Sequence, residues 1–141
     1  MHGGTHIGGA GGAYNQKNVT TWETTSDRRI KRNIEDNHQG LAVIERIRVR
    51  NFEYRLPDEV DPELKPSDAV QRPGIQLGVI AQELQQAQKD AGVTVPNLVL
   101  DTNPEKLEAS PATLIPVLVK AVQELSAELK AVKAELAALK G

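Results

Sequence analysis

The feature that most constrains this chain is the spacing of apolar residues near its C-terminus. Ile115, Leu118, Val122, Leu125, Leu129, Val132, Leu136 and Leu139 recur at intervals of three and four. That is an unbroken a/d pattern over four heptads, which specifies a long helix with a seam meant for other helices. With these residues at a and d, Glu128 and Glu135 fall at g, and Lys133 and Lys140 fall at e. In a parallel, in-register coil each g residue meets the next e residue of its neighbour. Glu128–Lys133 and Glu135–Lys140 would then pair opposite charges, at a few tenths of a kcal/mol each when exposed. The mixture of Ile, Val and Leu at a and d does not by itself fix the number of strands. Pro116 lies within the pattern, so the helix must either begin near Ile115 or bend there.

The rest of the chain cannot build a large core of its own. Its 141 residues are 39% apolar and only 3% aromatic, so the core is aliphatic and modest. A chain of this size leaves a large share of its surface exposed, and burial between subunits is an expected source of stability. The net charge of -2 gives no bulk attraction to nucleic acid or to a membrane surface. There is no cysteine, hence no disulfide framework or thiolate metal site. No apolar run approaches the ~18 residues of a membrane span. The start Met1-His2-Gly3-Gly4 lacks a basic-then-apolar pattern, and no cleaved leader is expected.

Three regions follow from composition. Residues 1–25 hold Gly3, Gly4, Gly8, Gly9, Gly11 and Gly12, too little apolar surface to offset their backbone entropy. They read as a linker or as the end of a larger upstream structure, with extended chain expected over Asn15 to Thr25 around Trp22. Residues 26–110 read as a body. A short helix is expected over Gln39 to Arg46 and a strand over Val49 to Leu56, with Phe52 and Tyr54 on one face. A Pro-rich, acidic excursion runs from Leu56 to Gly74. A second strand, Ile75 to Ile80, is placed to pair with the first. Ala81 to Ala91 reads as a helix stopped by Gly92. Val93 to Leu100 reads as extended chain interrupted by Pro96. Residues 111–141 form the final helix, with Ser110-Pro111 as N-cap and first helical residue. The fold class is therefore α+β, a small strand pair with short helices and one long C-terminal helix.

One short run carries candidate chemistry. In Ser26-Asp27-Arg28-Arg29-Ile30-Lys31, a serine and a lysine can act as nucleophile and base. Five residues along a helix turn through ~500°, about 140° away from the same face. Along a strand an odd spacing puts the two on opposite faces. They meet only across a bend or a subunit boundary. To accept a proton the lysine must be neutral, against a free value of about 10.4. Burial and like charge both favour the neutral form, and Arg28, Arg29 and Arg32 supply the like charge. Read from this hexapeptide alone, a helix cap or a solvated basic turn is the commoner use of such a run.

Four blocks in order change that weighting. Ser26-Asp27-Arg28-Arg29-Ile30-Lys31-Arg32-Asn33-Ile34 resembles the opening of the intramolecular chaperone domain, peptidase family S74, found at the C-termini of phage tailspikes, tail fibres and endosialidases. Phe52-Glu53-Tyr54-Arg55 continues the resemblance. Gly78-Val79-Ile80-Ala81-Gln82-Glu83-Leu84 is similar to the family's Gly-aromatic-Ile-Ala-Gln-Glu-Val block, with Val79 in place of the aromatic. Leu114-Ile115-Pro116-Val117-Leu118-Val119-Lys120-Ala121-Val122 resembles its segment leading into a coiled coil, which makes Pro116 a family feature. The resemblance spans residues 22–140.

It implies a homotrimer whose long helices form a parallel coiled coil. It implies that the domain assists folding of an upstream fibre or spike as its client, in the host cytoplasm during virion assembly. It then releases itself by cutting Thr25–Ser26, with Ser26 as nucleophile and Lys31 as general base. Asp27 would orient Lys31 or the backbone. Gln82 and Glu83 open a helix and are read as caps. Loop excursions of the family embrace the client near the cut, and residues 57–74 are the candidates here. No cofactor, metal, membrane or nucleic acid is implied. The alternative is a structural trimerisation cap whose Ser/Lys pair is silent.

Weaker signals point elsewhere. His2 and His6 are spaced as i, i+4 on a Gly-rich segment, where an unstructured tail is commoner than a metal site. Gly8-Gly9-Ala10-Gly11-Gly12 lacks the Lys-Ser/Thr of a phosphate loop. Arg46, Arg48 and Arg50 make a period-2 basic stripe, read as a solvated strand edge ahead of a nucleic-acid surface or a contact with an acidic neighbouring chain. A DNA-binding coiled coil needs a basic region before the heptads, and Leu107-Glu108-Ala109-Ser110-Pro111 is not basic.

Overall fold

The computed structural model describes residues 5–6, 14–15, 25–103 and 106–141. The chain divides into two compact units, Met1–Asp36 and Asn37–Gly141. In the first, β1 (Thr5–His6) pairs antiparallel with β2 (Tyr14–Asn15). Further along, a single 3-10 turn spans Arg28–Ile30. His2, the side chain of His6, Trp22 and the glycine run 8–12 lie outside the described residues.

The core of the second unit sits where three helices meet. α1 (Leu41–Ile44) is one turn long. α2 (Ala81–Ala91) buries Leu84 and Ala87, three residues apart on one stripe. α3 (Leu114–Lys140) buries Val117 and Ala121. Val43, Leu84, Ala87, Val95, Leu98 and Val117 form one cluster, with Ile44, Ile47, Val79 and Leu114 packed around it. Val43, Leu84 and Leu98 are the largest side chains that are fully buried. Each contributes about 2 kcal/mol by leaving water. Such a core is small, as the aliphatic composition predicts.

Local chemistry ends and joins these helices. α2 stops at Gly92, which takes φ 66°. Gly92 N–H donates to Lys89 O at 3.2 Å and Val93 N–H to Gln88 O at 3.1 Å. This is the left-handed stop that glycine adopts most easily. Val95-Pro96-Asn97-Leu98 then makes a tight turn, closed by Leu98 N–H to Val95 O at 3.3 Å, with Asn97 at φ 64°. Pro followed by a positive-φ Asn is the signature of a type II turn. The extended chain expected over 93–100 is thus folded at Pro96. After it, β5 (Val99–Leu100) pairs antiparallel with β6 (Glu108–Ala109), a strand pair additional to the one expected.

α1 has no side-chain cap of its own, because Gly40 precedes it. Glu124 of α3 supplies the acceptor instead, taking the Leu41 N–H at 3.3 Å. A Cβ on Gly40 would stand 2.8 Å from Val117 O and 2.9 Å from Ala121 N, so glycine is what lets α1 approach the α3 backbone.

The expected strand pair is present but shorter than its apolar runs. β3 (Arg50–Phe52) pairs antiparallel with β4 (Gln76–Gly78), with Asn51 opposite Leu77. Phe52 and Tyr54 meet edge to face, their rings 5.1 Å apart. The excursion between the strands holds two 3-10 turns, Pro57–Glu59 and Pro66–Asp68. Each is closed by a carboxylate three residues on. Glu59 accepts from Leu56 N–H and Asp68 from Lys65 N–H, both at 3.0 Å. Lys106 reaches Asp68 at 3.5 Å. A groove of about 910 Å³ lies between the excursion and β6.

Before α3, a 3-10 turn at Pro111–Thr113 leads directly into the helix. Ser110 contributes its carbonyl there, accepting Thr113 N–H at 3.0 Å, and makes no side-chain cap. Ser110 and Pro111 thus stand at the N-cap and first position as expected, with the cap made by the Ser110 carbonyl and not by its side chain. Pro116 falls in the first turn of α3, where a missing N–H costs no helical hydrogen bond. The 27 residues of α3 span ~40 Å. From Leu125 to Gly141 every residue is exposed, and the eight a/d residues are 46–85% exposed in the single chain.

Candidate active site

The 3-10 turn at Arg28–Ile30 is the element that shapes this site. Asp27 before it and Lys31 after it are both extended, at φ -69°, ψ 132° and φ -115°, ψ 150°. Extended, turned, then extended backbone reverses the chain locally and brings together side chains that neither a helix nor a strand would. Lys31 Nζ donates to Ser26 Oγ at 2.8 Å. The turn itself is held by Ile30 N–H to Asp27 O at 3.2 Å and Lys31 N–H to Arg28 O at 3.0 Å. Asn33 follows at φ 54°, a left-handed position that Asn tolerates better than most residues.

Asp27 does not touch Lys31. Its Oδ1 accepts the Arg29 backbone N–H at 2.8 Å. The Arg29 guanidinium folds back onto the same carboxylate, Nε to Oδ1 at 3.1 Å and Nη2 to Oδ2 at 2.8 Å. Those side-chain bonds, followed by the backbone one, hold the Asp27 carboxyl below the usual aspartate range. The same contact raises Arg29 further above its ordinary value. Arg29 was read from sequence only as like charge beside Lys31. Its signal was the Asp-x-Arg spacing, which suits a carboxylate closing a turn two residues on. Arg28 and Arg32 have no ion-pair partner among the described residues.

Thr25, Ser26 and the whole run to Asn33 are exposed in the single chain. The Thr25–Ser26 peptide is therefore open to water and to a neighbouring molecule. The hydrogen bond runs from Nζ to Oγ, whereas activation of a serine needs the reverse, from Oγ–H to a neutral amine.

The other residues singled out from sequence sit in the second unit. Glu83 is an ion-pair residue and not a cap. It receives Arg50 Nε at 2.9 Å and Nη2 at 2.7 Å, and Arg48 stands 3.9 Å away. The Arg50 side-chain bonds are the main cause of its lowered carboxyl value, with Arg48 adding a smaller attraction. Ile80, which precedes α2, has no side-chain cap bond. All three members of the basic stripe are engaged within the fold, since Arg46 also donates to Ala42 O at 2.6 Å. This stripe is thus tied to α1 and α2 and is not a free strand edge.

Among the described residues, no group of three or more His, Cys, Asp or Glu side chains is placed to hold a metal ion. No described helix is long and apolar enough to cross a membrane. Residues 26–93 match the model of the Peptidase S74 family, described as chaperone of endosialidase. The match begins at Ser26 and ends at Val93, so the 114–122 block and most of α3 lie beyond it. No curated protein matches the chain.

Proposed function

From the match of residues 26–93 to the chaperone-of-endosialidase family model, we propose that this chain is an assembly-dependent, self-cleaving chaperone for an upstream fibre or tailspike. Three copies associate through α3, the client folds, and the bond between Thr25 and Ser26 is cut. The observation that carries this reading is the 2.8 Å contact between Lys31 and Ser26, at the residue where the family match starts.

The chemistry follows from position. Ser26 supplies both the nucleophile and the nitrogen that leaves. Its Oγ attacks the Thr25 carbonyl carbon while the Oγ–H proton passes to Lys31 Nζ. The Thr25–Ser26 C–N bond breaks, and Lys31 returns the proton to the departing nitrogen, which becomes the α-amine of Ser26. Thr25 is then held as an ester on Ser26 Oγ. Water adds to that ester and releases Thr25 as a carboxylate, restoring the serine hydroxyl. Each copy turns over once.

Assembly enters through solvent. An exposed amine is well hydrated as a cation, and burial against another copy or the client favours its neutral form. α3 supports such assembly. Residues 125–141 make no buried contact in the single chain, and an isolated helix of that length is marginal in water. Residues 57–74 are the candidate contact with the client.

The test is intact mass of the purified full chain under denaturing conditions, followed over time beside Ser26→Ala. Loss of residues 1–25 from the parent alone supports the reading. A full-length mass in both would leave the second reading, a structural trimerisation cap.

A further inference from the structure

We propose that Asp27 and Arg29 form a positioning pair that delivers Lys31 to Ser26 and keeps the Asp27 carboxylate away from it. This rests on the Ser26/Lys31 reading above and adds two residues to it.

The first half of the argument is about the backbone. A three-residue 3-10 turn has only two backbone hydrogen bonds of its own here, Ile30 to Asp27 and Lys31 to Arg28. So short a turn competes poorly with extended chain in water. Extended chain would carry Lys31 to the opposite face from Ser26. Asp27 Oδ1 adds a third bond by taking the Arg29 N–H, a donor with no partner inside the turn. The contact that matters for chemistry, Nζ to Oγ, is made across the Asp27–Arg29 stretch that this bond closes.

The second half is about competition for the lysine. A carboxylate next to a nucleophile in the chain and four residues from a lysine is a ready ion-pair partner. Paired with Asp27, Lys31 would be drawn off Ser26 and held as a cation. Arg29 prevents this by occupying both carboxylate oxygens, Oδ1 through Nε and Oδ2 through Nη2. A bidentate guanidinium out-competes an ammonium for a planar carboxylate. The other charged side chains of the segment are Arg28, Arg32, Glu35 and Asp36. Arg29 thus serves Lys31 although it lies 88% exposed and touches neither reacting group.

The two halves predict different variants. Asp27→Ala removes the turn bond and should slow cleavage by about tenfold. Asp27→Asn retains an oxygen for the Arg29 N–H and should recover most of that loss. Arg29→Ala frees the Asp27 carboxylate and should move the midpoint of the pH–rate profile upward by about one unit, as an opposite charge beside Lys31 does. The double variant Asp27→Asn with Arg29→Ala should abolish that upward shift. A turn that merely stabilised the fold would lower the rate without moving the midpoint.

The experiment follows appearance of the 26–141 fragment by intact mass from pH 6 to pH 10, on the full chain, beside the parent and Ser26→Ala. Amide hydrogen exchange at Arg29 is measured on the same proteins. The expected result is the pattern above, with Arg29 N–H protection lost in Asp27→Ala and retained in Asp27→Asn. Parental rates in Asp27→Ala, or an unmoved midpoint in Arg29→Ala, would overturn the positioning pair while leaving the dyad standing. A parent that behaves as Ser26→Ala does would overturn the dyad itself. Unchanged Arg29 exchange in Asp27→Ala would refute the turn bond whether or not the chain cleaves.

Discussion

At the scale of single residues, the site depends on a reversal that a few atoms maintain. Lys31 reaches Ser26 at 2.8 Å because a 3-10 turn separates them. Lys31→Arg keeps the charge and the length but cannot give up a proton, so it should stop cleavage while leaving the thermal melt unmoved. Processing at the parental rate in that variant would remove Lys31 from the mechanism. Gly40 is the corresponding constraint in the body. An added methyl would meet α3 backbone at 2.8 Å, so Gly40→Ala should cost roughly 1–3 kcal/mol, read as a lowered denaturant midpoint. The run Ser26–Lys31 is legible in the sequence as a candidate pair, and the need for a bend follows from its spacing. That Asp27 would be spent on Arg29 is not, because the choice between Arg29 and Lys31 depends on side-chain geometry within the turn. Gly40 is equally opaque, since its neighbours lie some 80 residues away.

At the scale of elements, local signals define α2 well and long-range pairs define the rest. α2 begins and ends where its apolar spacing and Gly92 place it, because both signals lie within the helix and its stop. Glu83 was misread as a cap because its partner Arg50 is 33 residues distant, on β3. β5 and β6 are two residues each, too short to show alternation. The Arg50–Glu83 bond joins β3 to α2, and its acid dependence has a definite sign. Glu83 is held below its ordinary value in the fold. Its contribution is therefore present above the unfolded glutamate value, about 4.3, and is lost as pH falls through the lower folded value. Glu83→Gln should melt below the parent at pH 7 and converge with it in strong acid. A difference that persists at pH 2 would show that the pair is not its cause. On α3 the apolar face from Ile115 to Leu139 is exposed in the single chain. Leu125→Asp with Leu129→Asp should put charge into the shared seam and reduce the protein to monomers by sedimentation, with the core around Val117 intact. Trimers surviving that change would mean that α3 is not the assembly element.

At the scale of the whole molecule, a small aliphatic core, a helix that projects beyond it and an exposed Ser/Lys contact fit a domain completed by association. The body buries α1, α2 and the start of α3 around Val43, Leu84 and Leu98. What remains exposed is what assembly would use: the a/d face, and the Thr25–Ser26 bond with its lysine. The α+β class, the β3/β4 pair and the long helix were readable from period and punctuation. The division after Asp36 was not, because composition changes at residue 25 while the change in contacts comes later. The central claim is that assembly switches on cleavage between Thr25 and Ser26. Its most direct test is to separate the full chain by size and determine the denatured mass of each fraction, for the parent and for the Leu125→Asp, Leu129→Asp variant. Fragments beginning at Ser26 in the trimer fraction, and intact chains in every monomer, are the predicted result. A proven monomer that cuts itself at the same bond and the same rate would contradict it.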